Sequence, residues 1–340
     1  MTLSQVGEGD FVFDFDDRWF EGEHHSGHTD GWAHHGVVVT SAGEVVTFDE
    51  KLPRVLVLGR DGSLVRTFDV DLVEGHGMVL VREGDEELLW ISDNGSKRRR
   101  RDDGTYEPDV KPLRGSVAQF RLDGTEVFRL KMPALPVYAA GDYCPTAVAV
   151  DEEQFGGGGD IWVADGYGQM VVHRFDNAGT YLMTIDGTTG AGRFTHPHAV
   201  YIDRRDATPE LLVADRRNKR IQVFDLEGRF VRSFGEDFLV SPSGFAGYGD
   251  NLLVTELNSR ITILGPDNKP RAFLGHHEPA AQNRPGWPNE AEHGKARRPQ
   301  LRAGTFNTPH GVAVDAGGSI YVTEWLIGGR LVKLTPPNSR

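Results

Sequence analysis

Residues 196–234 read HPHAVYIDRRDATPELLVADRRNKRIQVFDLEGRFVRSF. Four short β-type runs follow one another here, at 199–202, 211–214, 221–224 and 230–234. Turn chemistry separates them: Asp203 to Pro209 after the first, Asp215 to Lys219 after the second, and the Glu227-Gly228 hairpin signal after the third. The stretch is one four-stranded antiparallel meander. Its succession of small residue, Val-x-Val-Asp run, Val-x-Asp run and Asp-x-x-Gly turn recurs on both sides, so the chain reads as a repeat array.

Working outward, the first meander covers 36–40, 44–48, 55–58 and 64–68, with Asp61-Gly62 as a hairpin turn. The second opens at Gly75-His76-Gly77, runs through 88–92, is interrupted by KRRRRDDGTYEPDVKPLRG, and resumes at 116–120 and 126–130. The third is YCPTAVAV, IWVADGY, VVHRF and TYLMTI; the fifth is SPSGFAGYGDNLLVTELNSRITIL with RAFL; the sixth is TPHGVAVDAGGSIYVTEW with RLVKL, one strand short. Residues 11–20, FVFDFDDRWF, form a spare strand with no partner nearby in sequence. A deficit of one strand at one end and a surplus of one at the other predict an all-β, six-bladed β-propeller whose last blade is closed by the N-terminal strand. The expectation is a single domain over 1–340, with insertions at 97–114 and 275–306.

Composition narrows the class. The chain has 340 residues, a formal charge of -13 and one cysteine, Cys144. That charge opposes general affinity for nucleic acid or acidic membranes, and the lone cysteine excludes an intrachain disulfide or a thiolate metal cluster. MTLSQVGEGD lacks a basic end followed by an apolar stretch, so a cytoplasmic protein is expected.

Aligning the repeats at their first strands makes His35, His76, Thr146, His198, Ser243 and His310 equivalent, each followed by Gly or Ala. The small residue lets neighbouring inner strands approach closely. His76, His198 and His310 fall in alternate repeats, a spacing that would bring three imidazoles together at the axis as a metal site with open positions for water or substrate. A single inner-strand histidine would be read as a backbone partner; three at alternate repeats point to a metal, zinc first, with other divalent first-row metals admissible. The turns after the second strands carry Asp93, Asp165, Asp215, Glu256 and Glu324, a recurrent acid suited to accepting backbone N–H bonds. Tyr167 and Arg216 break that pattern, which suggests a phenol and a guanidinium over the metal; a platform and a surface ion pair are the alternatives. His24, His25, His28, His34 and His35 crowd the loop before the first inner strand, with His35 expected near the metal without being obligatory.

The blades YCPTAVAV…VADGYGQ, HPHAVYI…VADRRNKRIQVF and TPHGVAVDAGGSIYVTEW, with EGHGMVLV…WISD, resemble the peptidyl-hydroxyglycine amidating lyases, six-bladed propellers of the NHL-repeat type. The resemblance implies a catalytic zinc on His76, His198 and His310, a catalytic tyrosine at Tyr167 in the DGY motif and a catalytic arginine at Arg216 in the ADR motif. This chain also departs from the family. A further arginine of the family's first blade meets VVTFDEKLP here, with Asp49 or Glu50 nearest; the acid after the last histidine that helps hold a structural calcium is Gly311; and the paired cysteines of the secreted animal enzymes are absent.

The expected activity is a zinc-dependent lyase breaking a carbinolamide or similar hemiaminal-type C–N or C–O bond of a small, anionic substrate. A metal-dependent hydrolase and a non-catalytic NHL propeller that binds a ligand or protein on its loop face are the rivals. His35, Glu50, Arg98 and Arg99 are candidates for contacting the substrate. Successive turns of a meander alternate between the two faces of the disc, so the turn before a first strand and the turn between second and third strands share a face, and both insertions are expected over the metal side. There the run Lys97, Arg98, Arg99, Arg100, Arg101 would offer a positive rim, or a merely solvated loop, and the second insertion, anchored by Trp287, a lid.

Overall fold

The computed structural model describes residues 3–20, 30–108, 114–139, 141–276 and 283–337. His24, His25 and His28, and residues 109–113 and 277–282 of the two insertions, lie outside the described residues. The chain divides into two compact units, one of Met1–Asp69, Lys97–Lys111 and Ala246–Arg340, the other of Val70–Ser96 and Pro112–Phe245.

The second unit carries the second, third and fourth meanders. The fourth consists of Pro197–Asp203, Glu210–Asp215, Arg220–Asp225 and Phe230–Phe234, hydrogen-bonded in that order. Its second strand is buried throughout from Leu211 to Asp215, as is Ile161–Asp165 in the third sheet. Strands covered on both faces read as continuous apolar runs, LLVA and IWVA, where a half-exposed strand would alternate. The recurrent turn acid behaves as its chemistry demands. Asp93 accepts the backbone N–H groups of Val73 (2.8 Å) and Glu74 (3.1 Å), Asp165 that of Cys144 (2.7 Å), and Asp215 that of Thr195 (2.7 Å). Each carboxylate thereby ties the entry to an inner strand to the turn beyond the second strand.

The first unit carries the first and sixth meanders and most of the fifth. In the sixth sheet, Pro309–Val314, Ile320–Glu324 and Leu331–Thr335 are followed by Phe11–Asp16, with Asp14 opposite Thr335 and Asp16 opposite Lys333. The N-terminal strand closes the last blade as expected. It is shorter than 11–20, and it does have a local partner: Ser4–Glu8 pairs with it as a fifth strand. That strand is mostly exposed, burying only Val6, so its sequence carries no period-two signal. Phe13 and Phe15 enter one core cluster with Val322, Val332 and Leu334, each contributing about 2–3 kcal/mol of transfer free energy. Six meanders, the sixth completed by the N-terminal strand, make the all-β, six-bladed β-propeller arrangement. No helix among the described residues is long and apolar enough to cross a membrane.

Both insertions contain ordered structure among their described residues. Arg98–Arg100 pairs with Tyr106–Pro108, and Glu290–Glu292 with Lys295–Arg297. Lys295 Nζ donates to the Asp103 carbonyl, joining the two hairpins.

Candidate functional site

In the second unit, His76 and His198 stand on equivalent inner strands, with ring centroids 4.9 Å apart. His76 Nδ1 donates to the carbonyl of Thr146 at 2.6 Å, and His198 Nδ1 to that of Ser243 at 2.6 Å. Both acceptors occupy the equivalent position one repeat further on. A carbonyl can only accept, so each bond assigns the proton to Nδ1 and leaves Nε2 as the lone-pair nitrogen. The tight approach depends on glycine: a Cβ on Gly77 would lie 2.5 Å from the Thr146 oxygen.

Tyr167 Oη lies 3.0 Å from His198 Nε2 and 3.4 Å from His76 Nε2. Arg216 Nη1 donates to the same phenol oxygen at 3.3 Å, with its guanidinium over the ring at 5.5 Å. The turn carrying Tyr167 is pressed onto the next strand, since a Cβ on Gly166 would come 2.2 Å from the Pro197 carbonyl. His196, which no repeat position marks, places its ring 6.1 Å from that of Tyr167. Burial, with Arg217 and Arg216 beside it, lowers its pKa to about 4, so it is neutral at physiological pH. Four residues expected at the site, His76, His198, Tyr167 and Arg216, are therefore in mutual contact within this unit.

In the first unit, His310 repeats the device: its Nδ1 donates to the carbonyl of His35 at 3.1 Å. The His35 ring itself turns to Thr47 Oγ1, 3.0 Å away. His35 thus serves His310 through its backbone. The imidazole beside His310 is that of His34, with centroids 4.8 Å apart, and Trp325 lies 5.3 Å from His34 on another side. Repeat alignment selected His35 and passed over His34, yet alternation along extended chain turns adjacent side chains apart. Trp287 of the second insertion packs edge-on against Trp325 at 5.3 Å and so stands three aromatic contacts from His310, by way of Trp325 and His34. At Gly311 a Cβ would meet Gly36 Cα at 2.9 Å, so the acid expected from the family's calcium site has no room on this backbone.

Glu50, Arg98 and Arg99 sit together elsewhere in the first unit, around a cavity of about 400 Å³. Burial, with the neighbouring Asp49, pushes the Glu50 carboxyl up to about 7, against the opposing pull of a backbone hydrogen bond, Lys97 and Arg298. An unfolded Glu50 ionises near 4.5, so the stability associated with its retained proton is complete below that pH and is lost as pH rises to about 7. Glu50→Gln mimics the neutral acid and is expected to exceed wild type by about 3 kcal/mol at pH 8 and to match it at pH 4.5. Urea titrations at the two pH values check this; an equal gap at both would contradict it.

No family model matches the chain. NHL repeat-containing protein 3 of Mus musculus is 30% identical over 224 residues, covering 63% of this chain and 59% of that protein. Peptidyl-alpha-hydroxyglycine alpha-amidating lyase 2 of Drosophila melanogaster is 28% identical over 192 residues, 53% of this chain and 39% of that one. The chain thus spans 59% and 39% of the lengths of these two curated relatives. Among solved structures, a streptogramin B lyase superposes with a TM-score of 0.57 at 16% identity, over 90% of this chain and 94% of the other, a likeness of fold. The chain accordingly has the six-bladed β-propeller fold and counts NHL repeat-containing protein 3 and the peptidyl-alpha-hydroxyglycine alpha-amidating lyases among its homologues.

Proposed function

We propose that the protein is a metal-dependent lyase acting on a carbinolamide or related hemiaminal. In this reading His76, His198 and His310 hold a zinc ion, with His34 as a fourth imidazole in the group. The observation that carries it is the device repeated in all three inner-strand histidines: Nδ1 is spent on the next repeat's carbonyl and Nε2 is kept for a ligand bond. Neutral imidazoles presenting Nε2 are the donor set of an open catalytic zinc site, and other divalent first-row metals suit the same set. Bound zinc would supply a Lewis acid that lowers the pKa of a substrate hydroxyl.

The chain's own groups then have defined tasks. Tyr167 takes the hydroxyl proton and passes it to the departing nitrogen, as the C–N bond breaks and the hydroxyl carbon becomes a carbonyl. Arg216, whose Nη1 donates to that phenol at 3.3 Å, orients it and offers a planar fork to a carboxylate on the same carbon.

Incubation with an N-acyl-α-hydroxyglycine is the test: one amide and one glyoxylate per turnover, abolished by a chelator and restored by zinc. Release of a carboxylic acid and an amine would make the protein a hydrolase. A binding propeller is the second reading, favoured by the 30% identical mouse protein being named for its repeats and not for a reaction. No turnover at full metal loading would select it.

A further inference from the structure

We propose that the cavity between the segments 97–102, 30–31 and 50–51 is an oxyanion pocket. It takes a phosphate-like dianionic group carried by the substrate of the metal site, and so rests on the lyase reading. The cavity measures about 400 Å³, towards the small end of ligand sites. Its lining holds six cationic side chains, Lys51 and those of 97–101, against the carboxylates of Asp30, Glu50 and Asp102. That is an excess of three positive charges in a chain of net charge -13.

The cations are held in place before any ligand arrives. The Arg98 guanidinium lies over the Trp32 ring at 5.1 Å, and Arg99 Nη1 donates to the Lys51 carbonyl at 3.3 Å. The paired strand is anchored by Tyr106, whose hydroxyl donates to the Asp30 carbonyl at 2.7 Å and whose ring meets Trp32 edge-on at 5.5 Å. Lys97, which also lines the cavity, is 2% exposed and so largely withdrawn from bulk water. On the opposite wall Gly31 is pressed against Glu50, where a Cβ would lie 2.6 Å from the Glu50 carbonyl oxygen. Ordering costs already met by the fold do not count against binding. Guanidinium forks suit oxyanions, and an excess of three charges suits a dianion better than a single carboxylate.

The same wall leads to the histidines. Trp32 bridges Ile327, Ala33 N–H donates to the Leu326 carbonyl at 3.0 Å, and His34 follows, its ring against His310. Gly31 and His34 are three residues apart, at most about 10 Å of extended chain. A small molecule with its anionic end beside Gly31 can therefore place its reacting carbon beside His34.

Sulfate tests the pocket, because it stays dianionic from pH 6 to 8. Calorimetric titration of the zinc-loaded full chain at low ionic strength is expected to show one saturable site. Binding should weaken at least tenfold in the double variant Arg98→Ala/Arg99→Ala, both positions being outside the core, with near-ultraviolet circular dichroism confirming its fold. It should stay within twofold of wild type in His198→Ala. Asp49, Lys97 and Arg298 face the Glu50 carboxyl, and a bound dianion adds to the pressure that keeps its proton. Wild type should therefore bind sulfate more tightly at pH 6 than at pH 8, and Glu50→Gln should flatten that dependence. Sulfate should also raise the KM of a carbinolamide whose acyl group carries a phosphate, without changing kcat. Binding indifferent to the two arginines, binding lost in His198→Ala, or a KM indifferent to saturating sulfate would overturn the proposal. Absence of glyoxylate release with sulfate binding intact would count against the lyase reading alone.

Discussion

His198→Ala is expected to lose bound metal while remaining folded. The variant removes an Nε2 donor from the pair with His76 and deletes the Nδ1 bond to the Ser243 carbonyl. Loss of an outer partner of a metal ligand costs about 10–100-fold in affinity, so loss of a ligand itself should exceed about hundredfold. Loss of the bond to the Ser243 carbonyl adds about 1–3 kcal/mol of destabilisation, which the apolar cluster shared by the third and fourth sheets can absorb. His35→Ala provides the contrast. Its carbonyl, not its ring, supports His310, so metal content should hold. Metal stoichiometry and circular dichroism of the two variants read the result; equal metal loss in both would mean that the ligand assignment is wrong.

The architecture was legible because it is written six times over. Each inner strand announces itself by a small residue after the aligned position, and each second strand by a mostly apolar run leading to an acid, unbroken in IWVAD and LLVAD. The closing strand was legible by strand counting, and Tyr167 and Arg216 because they interrupt a regular pattern. Ser4–Glu8 was not legible, since an exposed edge strand buries one side chain and leaves no period. Consecutive arginines likewise give no strand signal. What orders Arg98–Arg100 is tertiary: Trp32, the Lys51 carbonyl and Tyr106 come from distant segments. His34 was missed because alignment finds equivalent positions, whereas its place beside His310 depends on which way the chain turns just before the first inner strand.

Tyr167→Phe is expected to keep the metal and the fold and to lower kcat by about 10²–10⁴, the range that a positioned acid–base group supplies. The phenol lies against both Nε2 atoms and accepts from Arg216, whereas a phenyl ring preserves the packing and removes only the proton carrier. Arg216→Ala should raise KM as well as lower kcat, because the guanidinium is assigned both to the phenol and to a substrate carboxylate. Arg216→Lys should recover part of the loss, a point charge lacking the fork. Steady-state kinetics on the metal-loaded variants give the numbers. Near-normal turnover in Tyr167→Phe would take the tyrosine out of the mechanism.

Whether three inner-strand histidines present Nε2 to one metal ion is read from the metal content of the purified chain. Elemental analysis by mass spectrometry, on protein prepared without added metal and again after zinc loading and desalting, should give about one transition metal per chain, the stoichiometry of a single catalytic site. A chain that arrives empty and retains no zinc after loading would contradict the account.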